Sequence, residues 1–281
     1  MFLSILLRYI GRGMMFGAAF SLAASTIPDA HGQEVVVTGE GEILKPELCE
    51  PEINRGGNYQ EGETYLMGKC ERSVYPPVIK GEPGARYLEF STAGEKVDGG
   101  NDRVELAYGP YFPFGETTYV GFQMRIPADS AVTNGMFYPL QFWQCAPLSP
   151  RAGIRVDRGT SHSINFMTRH DNTGGGSTHR FTMEKDQWHS FVIAINPDPG
   201  GDGLFRVWID GEDQGAWTGA FGSDREDACR GQDGVPEQRH RLKFGIYKSN
   251  EPKVFKTHFT NMRVGSSYEE VVPPAGLASA K

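Results

Sequence analysis

The chain has 281 residues, with 28 Lys and Arg against 35 Asp and Glu and a formal net charge of -7. That acidic balance argues against a nucleic-acid partner, which requires a clustered positive surface. The 36 Gly, 18 Pro and 11% aromatic residues indicate many turns between short strands rather than long helices. One large all-β domain is therefore expected, a size that a single β-sandwich can reach.

The first 32 residues have the layout of a secretory signal peptide. Arg8 and Arg12 precede a small and apolar run at 14–24, and small residues follow up to Gly32. A membrane anchor is the alternative, but Arg12 interrupts the apolar stretch, which is then too short to span a bilayer. We therefore predict a signal peptide over residues 1–32, a secreted or periplasmic protein, and no membrane partner after its removal.

Residues 33–83 are rich in Gly, Glu, Pro and Asn and predict an irregular lead-in rather than a separate domain. The chain has four cysteines, an even set that suits disulfides in an oxidising compartment. Pairing of Cys49 with Cys70 and of Cys145 with Cys229 is favoured, although three pairings are formally open. A metal site is the weaker reading, because no Cys-x-x-Cys or Cys-x-x-His spacing occurs.

Residues 84–272 alternate short apolar runs with turn residues, and residues 273–281 are expected to be a disordered tail. The runs predict strands at 86–91, 103–108, 118–126, 135–145, 153–157, 163–168, 179–183, 189–195, 204–209, 241–248 and 254–264. Asp210-Gly211 is a strong hairpin signal. This many short strands predicts a β-jelly roll, a concanavalin-like antiparallel sandwich.

Strand parity selects polar residues that share a face. In 242–247 the apolar positions face the core, so Lys243 and Tyr247 lie together on the other face, with Gly245 leaving room for a ligand near the backbone. The same test puts Arg103 with Glu105, either as a carboxylate-binding pair or, more simply, as a surface ion pair.

Gln141 and Trp143 also share a face, where an amide can hydrogen-bond and an indole can stack on a sugar ring. Trp143 can equally be an ordinary core residue. The histidines are scattered and lack metal-ligand spacing.

These residues resemble motifs of the jelly-roll polysaccharide lyases, the group of glucuronan lyase, heparin lyase I and the related alginate lyases. The resemblance covers roughly residues 85–265, and Lys-x-Gly-x-Tyr is its most specific part. The motifs are Asp-Arg-Val-Glu-Leu at 102–106, the Gln141 strand, Trp-His-Ser-Phe-Val at 188–192, Val-Trp-Ile-Asp-Gly at 207–211 and Lys-Phe-Gly-Ile-Tyr-Lys at 243–248.

The resemblance implies cleavage of a uronic-acid polysaccharide by β-elimination. Arg103 and Gln141 would neutralise the substrate carboxylate, which stabilises the enolate that develops when the C5 proton is removed. Tyr247 would be the base and then the acid, with Lys243 supplying the positive charge that favours a phenolate. Substrate contacts are expected from Glu105, Trp143, Lys248 and His162.

One position departs from the family pattern, because relatives place a His where this chain has Trp143. Three interpretations stay open: His162 or another His reaches the site, Tyr247 makes both proton transfers in a syn elimination, or activity is lost. A non-catalytic lectin-like carbohydrate-binding module is the alternative function. A glycoside hydrolase ranks last, because no Glu-x-Asp-x-x-Glu run occurs.

No cofactor is expected, and calcium bound by loop carboxylates such as Asp198 and Asp202 is the one exception left open. The expected partner is an acidic polysaccharide, which a local basic cleft must bind in an otherwise acidic protein. We expect the protein to act as a monomer.

Overall fold

The computed structural model describes residues 34–37, 65–67, 77–82, 85–96, 102–145, 148–171, 175–224 and 239–274, all within the compact unit His31–Lys281. The elements are β1 (Glu34–Val37), β2 (Tyr65–Met67), β3 (Val78–Lys80), β4 (Tyr87–Ser91), β5 (Asp102–Pro113), β6 (Thr118–Arg125), β7 (Phe137–Trp143), β8 (Ala152–Val156), β9 (Ser163–Thr168), β10 (Gly176–Thr182), β11 (His189–Asn196), β12 (Leu204–Ile209), β13 (Glu212–Thr218), β14 (Arg239–Lys248), β15 (Lys256–Gly265) and α1 (Tyr268–Val271).

The strands form two antiparallel sheets. The first sheet has the order β13-β12-β11-β6-β15-β4-β3, with β1 paired to β15. The second has the order β10-β9-β8-β7-β14-β5-β2. Neighbours that are distant in sequence, such as β14 between β5 and β7, confirm the jelly-roll architecture predicted from the strand pattern.

The core lies between the sheets, and phenylalanine is its commonest residue. Each sheet sends alternate apolar side chains inward, as the period of a strand requires. Phe90 of β4 meets Phe244 of β14 at a ring-centroid distance of 5.8 Å, and Phe191 of β11 meets Phe166 of β9 at 6.1 Å. The opposite face of the second sheet is thereby free to carry polar residues.

The lead-in differs from the expectation of an irregular segment. It contributes β1, β2 and β3, which pair with β15, β5 and β4 respectively. Alternation was hard to see there because each strand has only three or four residues. Backbone pairing with a longer neighbour, rather than local propensity, therefore defines these strands.

The predicted Asp210-Gly211 hairpin joins β12 to β13, with φ of 51° and 83° at its two central residues. Cys145 is disulfide-bonded, whereas Cys49, Cys70 and Cys229 lie outside the described residues, so the pairing itself stays a prediction. The predicted signal peptide also lies outside them. Within the described ranges, no helix has the length and apolarity needed to cross a membrane.

Candidate active site on the second sheet

The polar face of the second sheet brings together the four residues predicted to be catalytic. On β14, Tyr247 pairs with Arg103 of β5, and Lys243 pairs with Gln141 of β7. Cross-strand partners point to the same side of a sheet. Because β14 lies between β5 and β7, residues more than one hundred positions apart in sequence converge here.

A buried polar layer forms the base of this site. Glu105, Gln141 and Lys243 are at most 2% exposed. Gln141 Nε2 donates a hydrogen bond to Glu105 Oε1 at 2.5 Å, while Glu105 Oε2 has no hydrogen-bond partner among the described residues. The carboxylate thereby fixes the orientation of the Gln141 amide.

Burial dominates the electrostatics of that layer. It raises the pKa of Glu105 above its ordinary value, against the opposing positive charges of Lys243 and Arg103. Burial lowers the pKa of Lys243 to about 7, although the Glu105 charge opposes the shift. Lys243 therefore changes its charge close to neutral pH.

A second layer lies above the first and is half-exposed. It consists of Arg103, Trp143 and Tyr247. Lys243 Nζ lies 3.8 Å from the centroid of the Trp143 ring, and Arg103 Cζ lies 4.8 Å from the centroid of the Tyr247 ring. Both cations thus contact an aromatic face. Trp143 covers Lys243, and Arg103 and Tyr247 are each partly exposed.

Tyr138 is a site neighbour that sequence parity misses. Its ring stacks on that of Tyr247 with centroids 6.2 Å apart and an interplanar angle of 28°. Tyr138 is three residues from Gln141, so simple alternation assigns it to the opposite face. The register of β7 against β14 shifts in this region, and Pro139 was the available signal, since proline inside a strand marks an irregularity.

Gly245 has a different role from the one expected. Its φ is +126°, and a Cβ there would lie 2.3 Å from the Val104 carbonyl oxygen and 2.6 Å from Phe90 Cδ1. The glycine thus permits close packing toward the core rather than leaving open space for a ligand. The expectation that its other side forms a groove floor stays a prediction.

Lys248 is fully buried and faces away from the polar layers. Its Nζ lies 3.3 Å from Asp102 Oδ2 and donates to the carbonyl oxygens of Ser249 and Glu251 at 3.2 and 2.8 Å. The expected substrate contact is therefore replaced by a structural role, in which Lys248 ties the end of β14 to its neighbours.

His162 is buried just before β9 and is not brought to the site. Its Nδ1 lies 2.5 Å from Ser161 Oγ, and its Nε2 lies 3.2 Å from the Ile126 carbonyl oxygen. Burial lowers the pKa of His162. Both ring nitrogens thus serve local structure, so His162 does not replace the imidazole whose position Trp143 occupies.

The calcium hypothesis gains no support from the loop after β11. Asp198 Oδ1 accepts a hydrogen bond from the backbone N–H of Gly200 at 2.5 Å, as in an ordinary turn. Among the residues that the structure describes, no cluster of three or more His, Cys, Asp or Glu side chains could hold a metal ion.

The two sheets define a jelly-roll protein with a cluster of polar residues on one face of the second sheet. A family model described as Polysaccharide lyase matches residues 58–263, and the chain belongs to this family. Membership confirms the enzyme class that the motifs predicted. A search of curated protein sequences gives no match.

Among solved structures, the chain is similar to two lyases and to a toxin binding domain. The endo-β-1,4-glucuronan lyase of the fungus Trichoderma reesei is 16% identical, with a TM-score of 0.54 over 74% of this chain and 93% of that chain. The family-7 alginate lyase A1-II′ is 11% identical, with a TM-score of 0.47 over 67% and 83%. The binding domain of botulinum neurotoxin DC is 10% identical, with a TM-score of 0.45 over 75% and 44%. Of these three, the glucuronan lyase alone supports the fold assignment. At 16% identity, it gives no evidence about the activity of this chain.

Proposed function

We propose that this polysaccharide lyase cleaves a uronic-acid polymer by β-elimination, with Tyr247 as both base and acid. The observation that carries the proposal is the partly exposed Tyr247 ring, with the Arg103 guanidinium 4.8 Å from its centroid, above a buried layer that contains Lys243. A group that binds a carboxylate thus lies beside a group that can exchange a proton, as proton removal next to a uronate carboxylate requires.

Arg103 binds the carboxylate of the reacting uronate, for which its planar fork is suited. Neutralising that carboxylate makes the C5 proton more acidic, since negative charge develops on the carboxylate oxygens when the proton leaves. The Tyr247 phenolate takes the C5 proton, and the electron pair forms the C4–C5 double bond. The C4–O bond breaks, and the departing oxygen receives the proton from Tyr247.

The buried layer of Glu105, Gln141 and Lys243 contributes a hydrogen-bond donor and a positive charge to this reaction. One N–H of Gln141 Nε2 is held by Glu105, which leaves the second N–H to donate toward the substrate carboxylate. Lys243 is covered by Trp143, so it acts through its positive field rather than by contact. We therefore assign direct contacts with the substrate to Arg103, Gln141 and Tyr247. Lys243 and Glu105 are assigned to positioning those groups.

Trp143 cannot exchange a proton as an imidazole does, and His162 uses its ring nitrogens elsewhere. These two facts favour a syn elimination in which the same phenol serves both proton transfers. The half-exposed indole instead offers a stacking surface for a sugar ring.

We also propose that the chain is exported, through the signal peptide over residues 1–32, and acts as a monomer on its acidic polysaccharide without a cofactor. Lyase-family membership supports the acidic substrate. Export is tested by N-terminal sequencing of the mature protein, and assembly by its sedimentation behaviour.

The proposal is tested by incubating the protein separately with glucuronan, alginate and heparin and following the ultraviolet absorbance of the unsaturated uronate product. We expect a rise on at least one polymer, and its loss in Tyr247→Phe. Tyr119→Phe, on the first sheet beside Trp208, is the matched control and should retain activity. Binding without any absorbance rise would instead support the lectin-like alternative.

A further inference from the structure

Beyond the catalytic residues, the polar face continues across β8, β9 and β10. Asn165 of β9 pairs with Arg155 of β8 and with Arg180 of β10. Their sequence neighbours Ile154, Ile164 and Phe181 pack in or against the core. Arg155, Asn165 and Arg180 therefore point to the opposite side in one row, on the same face as Gln141, which pairs with Gly153.

Two cations of this row have no anionic partner in the part of the chain that the structure describes. Neither Arg155, which is half-buried, nor Arg180, which is exposed, forms an ion pair with a described carboxylate. Arg206 of the first sheet, in contrast, pairs with Asp213. In a chain with more acidic than basic residues, two arginines without an anionic partner, one on each side of β9, favour an external anion.

A buried acceptor lies between the two arginines. Asn165 is 2% exposed, and its Oδ1 has no hydrogen-bond partner among the described residues. Buried polar atoms are nearly always hydrogen-bonded, so we expect Asn165 Oδ1 to accept a hydrogen bond from a bound ligand. Arg169, just past the end of β9, also has a buried Nε without a hydrogen-bond partner among the described residues.

The chemistry of the row matches an anionic sugar. Guanidinium groups bind carboxylate or sulfate groups with paired hydrogen bonds, and an amide oxygen accepts from a hydroxyl. A neutral sugar would leave both arginines unsatisfied. The row therefore selects a sugar unit that carries both hydroxyl and anionic groups.

The Arg180 end of the row is too far from the reaction centre to hold the reacting unit. With about 4.8 Å between strands and about 3.3 Å per residue, the Cα of Arg155 lies roughly 8 Å from that of Gln141, and the Cα of Arg180 roughly 16 Å. Arg180 is thus more than one sugar ring away from the bond that breaks.

We propose that Arg155, Asn165 and Arg180 form an anion-binding subsite for charged sugar units of the polymer beyond the unit that is cleaved. The inference rests on the proposed function for the identity of its ligand. It goes further by requiring that the polymer carry negative charge on more than its reacting unit.

Binding without turnover tests the subsite separately from catalysis. Alginate and glucuronan oligosaccharides are titrated calorimetrically into Tyr247→Phe, alone and with Arg155→Gln and Arg180→Gln added. We expect the double arginine change to weaken Kd by about tenfold or more, as for loss of hydrogen bonds to charged groups, and to make the salt dependence shallower. Arg158→Gln is the matched control, because Arg158 is exposed in the turn after β8.

Equal Kd values for the double change and the Arg158→Gln control would overturn the subsite. In the active protein, the loss in kcat/KM for Arg180→Gln should grow with substrate chain length, and an equal loss at every length would also overturn it. Retained activity in Tyr247→Phe would refute the proposed base while leaving the binding result standing. Circular dichroism and Tm of each variant confirm that it folds.

Discussion

Removing the Lys243 ammonium should destabilise the fold in a pH-dependent manner. Lys243 and Glu105 lie in the same buried layer, and their charges interact. Breaking a buried ion pair by removing one partner costs about 3–5 kcal/mol, because the other charge stays buried. For a domain of this size, Lys243→Met should therefore lower Tm by roughly 10 °C at pH 6.5, where Lys243 still carries most of its charge.

The sign of the pH dependence follows from Glu105. Its pKa is already raised by burial, and loss of the Lys243 charge raises it further. The folded variant then binds more protons than the unfolded chain above the ordinary pKa of Glu, so its stability falls as pH rises. Lys243→Met should accordingly be less destabilising at pH 5 than at pH 6.5, two values at which the Lys243 of the unaltered protein is mostly charged.

Urea denaturation at the two pH values measures the effect. Adding Glu105→Gln should remove most of the pH dependence, since an amide at position 105 carries no charge. Lys256→Met is the matched control, because Lys256 pairs with exposed Asp129 at the surface and should cost about 1 kcal/mol or less. An equal loss of stability at pH 5 and pH 6.5 would refute the electrostatic coupling of the buried layer.

Two further changes test the packing around the site. The His240 ring lies beside Phe114 and Phe221, and burial lowers the pKa of His240 to about 3. The folded state therefore loses stability as pH falls from about 6.5 toward 3, by up to roughly 5 kcal/mol. His240→Phe should flatten the fall in Tm between pH 7 and pH 4, and parallel Tm curves for the two proteins would contradict this. Gly245→Ala should cost several kcal/mol in urea denaturation, because its φ is positive and its Cβ would collide with backbone. Gly176→Ala, where a Cβ meets nothing within 4 Å, is the control and should change stability little.

Strand parity predicted much of the site because the core imposes it. In β14, burial of Phe244 and Ile246 forces Lys243 and Tyr247 to the other face, and that alternation is visible in sequence. The same parity argues against Lys248, which follows Tyr247 directly and so faces the core. Its assignment to substrate came from the family motif rather than from the strand.

Other features depended on information that a single sequence lacks. The bond between Gln141 and Glu105 requires the order of strands that are 36 residues apart along the chain. The stack of Tyr138 on Tyr247 requires the register shift near Pro139. Position within a strand is a local property, whereas strand order and register are set by packing of the whole sandwich.

The contact between Trp143 and Lys243 gives the site its own optical reporter. An indole emits at a wavelength that responds to nearby charge, and this one lies 3.8 Å from an ammonium whose charge changes close to neutral pH. Three other tryptophans, Trp188, Trp208 and Trp217, contribute the background signal. The difference in fluorescence between the protein and Trp143→Phe would therefore follow the protonation of Lys243 directly, without substrate or added dye.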